Sequence, residues 1–281
     1  MVAITQQSML DEIRRQQQLA RSIASDQAAV SSGKKLITPS QDPRAWVQVS
    51  QIAQAQAQQA AWTANVAYAQ TRATKADSNL SELNSLMVRA RELYISASTT
   101  TLDEDGKASV VASLQGIRAS INDLLTEKDY QGLPVFDDGT TVGVPVSRGL
   151  SVEAVGTRQS ISEGIDVNGT PMSIDDILGS AISSIQAGTA ATNDAGLKGI
   201  GVGLDHIINE QALQGVRGER LDAVTSRLKD VDLTLTERRG GLEDTDLTET
   251  ITQLQGKLLT LEAAQAAFAR INKQSLFDLI G

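Results

Sequence analysis

Nucleophilic, acid–base and metal chemistry each need particular side chains, and this chain holds few of them. It has no cysteine and a single histidine, His206. Disulfides, thiolate ligands and cysteine nucleophiles are thereby excluded. So are a His-x-x-x-His zinc site and any multi-histidine cage. A serine–histidine–acid triad would have to use His206, which lies in a helical stretch with no nucleophile elbow beside it. A surface or groove histidine is the simpler reading. What remains for acid–base work are paired acids such as Asp137-Asp138 and Asp175-Asp176. The first pair falls in a turn signal and the second at a helix start, where acidic residues are ordinary. The residues point to no catalytic site, no metal site and no cofactor, and the expectation is a protein that is not an enzyme.

Composition then says what such a chain can build. Its 281 residues carry 25 Lys and Arg against 34 Asp and Glu, a net charge of −9. A duplex-binding protein would usually show a basic stripe, so nucleic acid is not an expected partner. Hydrophobic residues make up 41% but aromatics only 3%, which suits thin layers of long helices better than a thick globular core. No run reaches the ~18 apolar residues of a membrane span, so membrane insertion is not expected. The opening Met1-Val2-Ala3-Ile4-Thr5-Gln6-Gln7 has neither a basic nor an apolar signal region, so it does not read as a cleavable secretory signal.

Proline and glycine divide the chain. The five prolines are Pro39, Pro43, Pro134, Pro145 and Pro171, leaving 44–133 and 172–281 free for long helices. Seven glycines crowd 132–169, so the middle reads as turns and short strands. A first helix is predicted over 4–32, with Met9, Ile13, Ala20, Ile23 and Val30 on one face. Gly33 is its stop. An extended connector through Pro39 follows, and then Asp42 as N-cap with Pro43 at the first helical position. A helix over 43–98 would be a rod of roughly 80 Å. Further helices are predicted at 104–128, 173–187, 200–238 and 245–279, with a loose loop to about 196 and Gly240-Gly241 ending the penultimate helix. Within 130–171, Asp137-Asp138-Gly139 and Asn168-Gly169 read as hairpin turns.

The last helix carries the sharpest pattern. Leu247, Ile251, Leu254, Leu258 and Leu261 are spaced 4-3-4-3, followed by Phe268, Ile271, Leu276 and Leu279. That is a coiled-coil seam through two heptads or the core face of a bundle. Residues 1–32 and 247–281 are each electrically neutral, so the whole −9 lies in 33–246. Neutral amphipathic ends pack readily against each other and against copies of themselves.

At the ends the residues also resemble a known family. The run from Asp246-Leu247-Thr248-Glu249 through Leu261-Glu262-Ala263-Ala264-Gln265-Ala266-Ala267-Phe268-Ala269-Arg270-Ile271 to Ser275-Leu276-Phe277-Asp278-Leu279 looks like the C-terminal end of the bacterial flagellin family. Ser32-Gly33-Lys34-Lys35 with Pro39-Ser40-Gln41-Asp42-Pro43 resembles the loop after the first helix in the members that join hook to filament. Filament subunits proper usually lack this Pro-Ser-x-Asp-Pro pattern. Arg217-Gly218-Glu219-Arg220-Leu221 is similar to the family's Gly-x-Arg-Leu element. One departure is Gln41, where the junction members often carry an acid. The likeness covers about 1–130 and 195–281.

That resemblance implies a mainly α, elongated bundle of long helices. The inner coiled-coil domain would be 1–35 with 245–281, the central rod 36–130 with 195–244, and the β-rich outer insert 131–194. The expected function is a structural, self-assembling part of the bacterial flagellum joining hook to filament, the alternative being the main filament subunit. A soluble coiled-coil signalling module is a more distant reading that leaves the terminal motifs unexplained. Expected partners are copies of the chain, a neighbouring hook-associated protein, flagellin, and an export chaperone on the C-terminal helix. Export would take unfolded chains to the cell exterior without a cleaved signal. The assembly interface would comprise Met9, Ile13, Ile23 and Val30 with Leu247, Ile251, Leu254, Leu258, Leu261, Phe268, Ile271, Leu276 and Leu279. Gly33, Pro39, Asp42 and Pro43 would form the interlayer connector.

Overall fold

The computed structural model describes the backbone of residues 2–99 and 102–277, and side chains at residue 7, 9–98 and 102–270. Its elements are α1 (Val2–Ser32), α2 (Pro43–Thr99), α3 (Glu104–Thr126), β1 (Gly143–Ser147), β2 (Leu150–Glu153), α4 (Arg158–Ser162), β3 (Ile165–Val167), β4 (Thr170–Met172), α5 (Ile174–Ala187), α6 (Ala190–Glu243) and α7 (Leu247–Phe277). The protein is mainly α, with long helices around a small β insert. The chain divides into two compact units, 1–57 with 231–281 and 58–230.

Within the larger unit, α2 buries Val66, Ala69, Ala73, Ala76, Leu80, Leu83, Met87, Ala90, Tyr94 and Ala97. Their 3-4-3-4 spacing is an unbroken heptad stripe. Along it α6 runs antiparallel: Gln59 donates to the Leu228 carbonyl at 2.8 Å, Gln70 to Asp222 at 2.7 Å and Tyr94 to the Asn193 carbonyl at 3.0 Å. α6 starts at Ala190, within the stretch that reads as a loose loop. Thr189 caps it, its hydroxyl accepting the Thr192 N–H. Gly196 of this stretch and Gly203 of the helix expected beyond it are packing residues. A Cβ at Gly196 would collide with the Tyr94 hydroxyl, and one at Gly203 would sit 3.0 Å from the Met87 methyl. Close helix approach, worth more than the entropic cost of glycine, overrides the loop signal.

α3 and α5 close the core with Leu114, Ile121, Ile177, Leu178 and Ala181. Asp103 caps α3, and Ser173 with Asp176 forms a capping box at α5. Two hairpins make the β insert. β1 and β2 pair antiparallel with an irregularity between Pro145 and Ser147, and β3 and β4 pair antiparallel in register. The β3–β4 turn is Asn168-Gly169, both at positive φ as a type I′ turn requires. Asp137-Asp138-Gly139 does not join two strands. Asp137 is instead buried, bonded by Arg72 at 2.9 Å and by the Val142 N–H at 2.7 Å. The segment ahead of the turn pairs elsewhere, through isolated bridges of Pro134 to Lys128 and of Asp137 to Thr157, and Asp137 ties the insert to α2.

The chemistry-capable residues have structural partners. His206 lies 2.9 Å from the Ser160 carbonyl, with a ring nitrogen in bonding range. Asp175 takes the guanidinium of Arg118, and Asp138 that of Arg158. Among the described residues no group of three or more His, Cys, Asp or Glu is placed to hold a metal ion, and no helix is long and apolar enough to cross a membrane.

Candidate assembly interface

The smaller unit contains every residue expected to form the interface and the connector. Here α1 and α7 lie antiparallel, as the links at Lys34–Asp244 and Asp26–Lys257 show. The less exposed positions of α1 between residues 9 and 32 are Asp11, Glu12, Gln16, Leu19, Ser22, Ile23, Asp26, Ala29 and Val30, and those of α7 are Thr250, Leu254, Lys257, Leu261, Ala264 and Phe268. The α7 series steps 4-3-4-3-4, the knobs-into-holes period, and within the α1 set Glu12, Gln16, Leu19, Ile23, Asp26 and Val30 keep the same steps. Polar side chains occupy part of this seam, and two of them bond to each other: Lys257 donates to Asp26 at 2.6 Å.

The candidate interface residues fall into two sets. Ile23 is buried, and Val30, Leu254, Leu261 and Phe268 are half-buried in the α1–α7 contact. Met9, Ile13, Leu247, Ile251 and Leu258 are exposed by 37–46%. Leu10 and Leu259 join them at 55% and 68%. The apolar stripe of α7 is therefore wider than the strip covered by α1. For Ile271, Leu276 and Leu279 the side chains lie outside the described residues.

Next to the helix pair sits a joint. Gly33 adopts φ +71°, leaving the helix in the left-handed conformation that glycine reaches without strain. The Lys35 and Leu36 N–H groups donate to the Glu243 carbonyl at 2.7 and 3.3 Å, and Thr245 N–H donates to the Gly33 carbonyl at 3.0 Å. Leu36 is buried. The Glu243 carboxylate, itself buried, accepts from Lys34 at 2.7 Å and from Arg239 at 3.1 Å. Burial alone would push this carboxyl up; the Lys34 and Arg239 bonds outweigh it and hold the group below its ordinary range. These contacts carry α6 through Gly240-Gly241, the expected stop, to Glu243.

The connector is ordered by its own side chains. The Gln41 amide oxygen accepts the Ile37 and Thr38 N–H groups at 2.6 and 2.9 Å, closing a turn around the exposed Pro39. An amide oxygen thus does what a carboxylate would do at this position. Asp42 caps α2 by accepting from Arg44 and Ala45 at 2.9 and 3.0 Å, and Pro43 opens the helix, where its missing N–H costs nothing. Glu243, Arg239, Lys257 and Asp26 were not among the expected site residues. The one sequence signal for the last two was their opposite charge at heptad positions.

Paired N- and C-terminal helices, a hydrogen-bonded joint and apolar side chains left uncovered define a helical protein built for association. The residues 3–141 match the family described as the bacterial flagellin N-terminal helical region. Over that stretch the chain resembles the bacterial flagellin family. It is 25% identical over 307 aligned residues to flagellar hook-associated protein 3 of Escherichia coli, covering 94% of this chain and 96% of that protein. The protein of the same name from Salmonella typhimurium is 29% identical over 137 residues, 49% of this chain and 43% of that one. The fold is shared with the flagellar junction protein of Legionella pneumophila, at a TM-score of 0.58 and 15% identity, over 70% of this chain and all of that one.

Proposed function

We propose that this chain is a structural subunit of the bacterial flagellum that joins the hook to the filament, with no catalytic role. The observation that carries the reading is the pairing of terminal helices whose apolar face is wider than their mutual contact. Full-length similarity to hook-associated protein 3 supports the position in the organelle. In this reading 1–35 with 245–281 form the inner domain, 36–130 with 195–244 the central rod, and 131–194 the outer insert. The exposed Leu247, Ile251 and Leu258 meet copies of the chain and the neighbouring hook-associated protein and flagellin. Before assembly the same face of α7 is what an export chaperone would cover. The chain leaves the cell unfolded and without a cleaved signal.

The test compares two substitutions. Leu258 is 38% exposed beside the helix pair, whereas Leu261 is half-buried within it. Leu258→Asp should leave the melting curve of the purified protein unchanged yet abolish attached filaments in a strain lacking its own junction protein. Leu261→Asp should do both kinds of harm, since it desolvates a charge at a cost of about 2–5 kcal/mol. Normal swimming with Leu258→Asp would remove the assignment of that face. If the wild-type chain instead builds filaments in a strain lacking its filament subunit, it is a flagellin.

A further inference from the structure

Around the β3–β4 turn stand three groups, Asn168, Asp166 and Lys198, each in direct hydrogen-bond contact there. Asn168 is exposed, sits at φ +57°, and is followed by Gly169, which has no side chain to hinder attack at its nitrogen. The Gly169 N–H donates to the Asp166 carboxylate at 2.6 Å. On the other side, the Lys198 ammonium donates to the Asn168 side-chain oxygen Oδ1. A base therefore stands on the nitrogen, and a cation stands on the carbonyl of the amide one residue before it. That is the pairing of base and oxyanion stabiliser used for acyl transfer.

We propose that Asn168 is a self-modifying site, converted by the folded chain into aspartate and isoaspartate through a succinimide. The Gly169 nitrogen forms a bond to Asn168 Cγ while its proton passes to the Asp166 carboxylate. Charge accumulating on Oδ1 is met by the Lys198 ammonium. The bond from Cγ to the side-chain nitrogen then breaks, and ammonia leaves with the proton that Asp166 returns. One water opens the five-membered ring at either carbonyl. The balance is one water consumed and one ammonia released, with no oxidant or reductant.

The two products differ in their effect on the insert. Aspartate keeps the backbone and places a carboxylate against Lys198, so the hairpin persists. Isoaspartate adds a main-chain carbon to a two-residue turn, which the Ile165–Met172 and Val167–Thr170 register cannot absorb. An aged population would carry intact and loosened copies of this hairpin.

The experiment incubates the full chain at neutral pH and follows residue 168 by peptide mapping, reading the mass change of amide to acid and the isoaspartate fraction. The same chain unfolded in urea is the reference. The folded wild type should convert faster than the unfolded chain, and Asp166→Asn or Lys198→Met should each slow it about tenfold. Circular dichroism confirms that both variants fold. A folded chain that converts more slowly than the unfolded one overturns the proposal, because the turn would then be protective. Wild-type rates in both variants would overturn it as well.

Discussion

Replacing Glu243 by glutamine tests the joint while keeping its shape. The carboxylate holds two cations, Lys34 at 2.7 Å and Arg239 at 3.1 Å. Hydrogen bonds to a charged group contribute about 1.5–3 kcal/mol when buried. Both partners are only part-buried, 45% exposed at Lys34 and 38% at Arg239, so water recovers much of each bond. Glutamine also keeps one accepting oxygen. The net cost is therefore about 1–2 kcal/mol, at the low end of those sums. It should appear in the amides that the joint protects, Lys35, Leu36 and Thr245. Their hydrogen exchange should quicken about 5–30-fold, at tenfold per 1.4 kcal/mol, while amides of the α2 core stay unchanged. The same carboxyl titrates below its ordinary range, so its contribution is complete above its unfolded value and is lost as pH falls through its folded one. After correction for intrinsic exchange, those three amides should lose protection under acid in the wild type, with a weaker pH response in Glu243→Gln. Equal exchange in both proteins at neutral pH would refute the reasoning.

Two further expectations concern glycines. Gly196→Ala should lower the urea midpoint by an amount equal to about 1–3 kcal/mol, because its Cβ meets a buried, hydrogen-bonded tyrosine; Gly203→Ala should cost less, since the Met87 methyl can turn aside, and equal effects would deny the close approach. Gly33→Ala with Pro39→Ala should let helix extend into the connector at a local cost of about 1 kcal/mol for the left-handed residue. In cells it should give normal secretion but detached filaments, and wild-type counts of attached filaments would reduce the connector to a spacer.

The helical plan was legible because its signals are local. Asp42-Pro43 marks a helix start by capping chemistry, and the structure uses it. Asn168-Gly169 likewise names its own turn. What was not legible depends on distant partners. Gly196 looks like a loop residue until Tyr94 is placed against it. Gly240-Gly241 looks like a stop until Glu243 is tied down from Lys34. The α1–α7 seam is the subtler case. The apolar residues of α7 suggest a line through Leu247, Ile251, Leu254, Leu258 and Leu261; the contact keeps Leu254 and Leu261 but takes Thr250, Lys257 and Ala264 in place of the others. A reader of single sequences weights size, but the packed line is chosen by what α1 can meet, including a charge.

The Asp26–Lys257 bond in that seam also acts as an indexing pin. A heptad pattern by itself repeats, so α7 slid by one repeat would still present seam positions to α1. It would also bring Lys257 opposite Leu19 or Gly33 and strand Asp26. The two side chains are only 30% and 16% exposed, so neither recovers full hydration when parted. Breaking a part-buried pair of this kind costs a few kcal/mol, up to about 3–5 when burial is complete, enough to make the slipped pairings rare. With the phase set, Met9, Ile13, Leu247, Ile251 and Leu258 recur at the same coordinates in every copy. A lattice of subunits needs that uniformity more than it needs a strong helix pair.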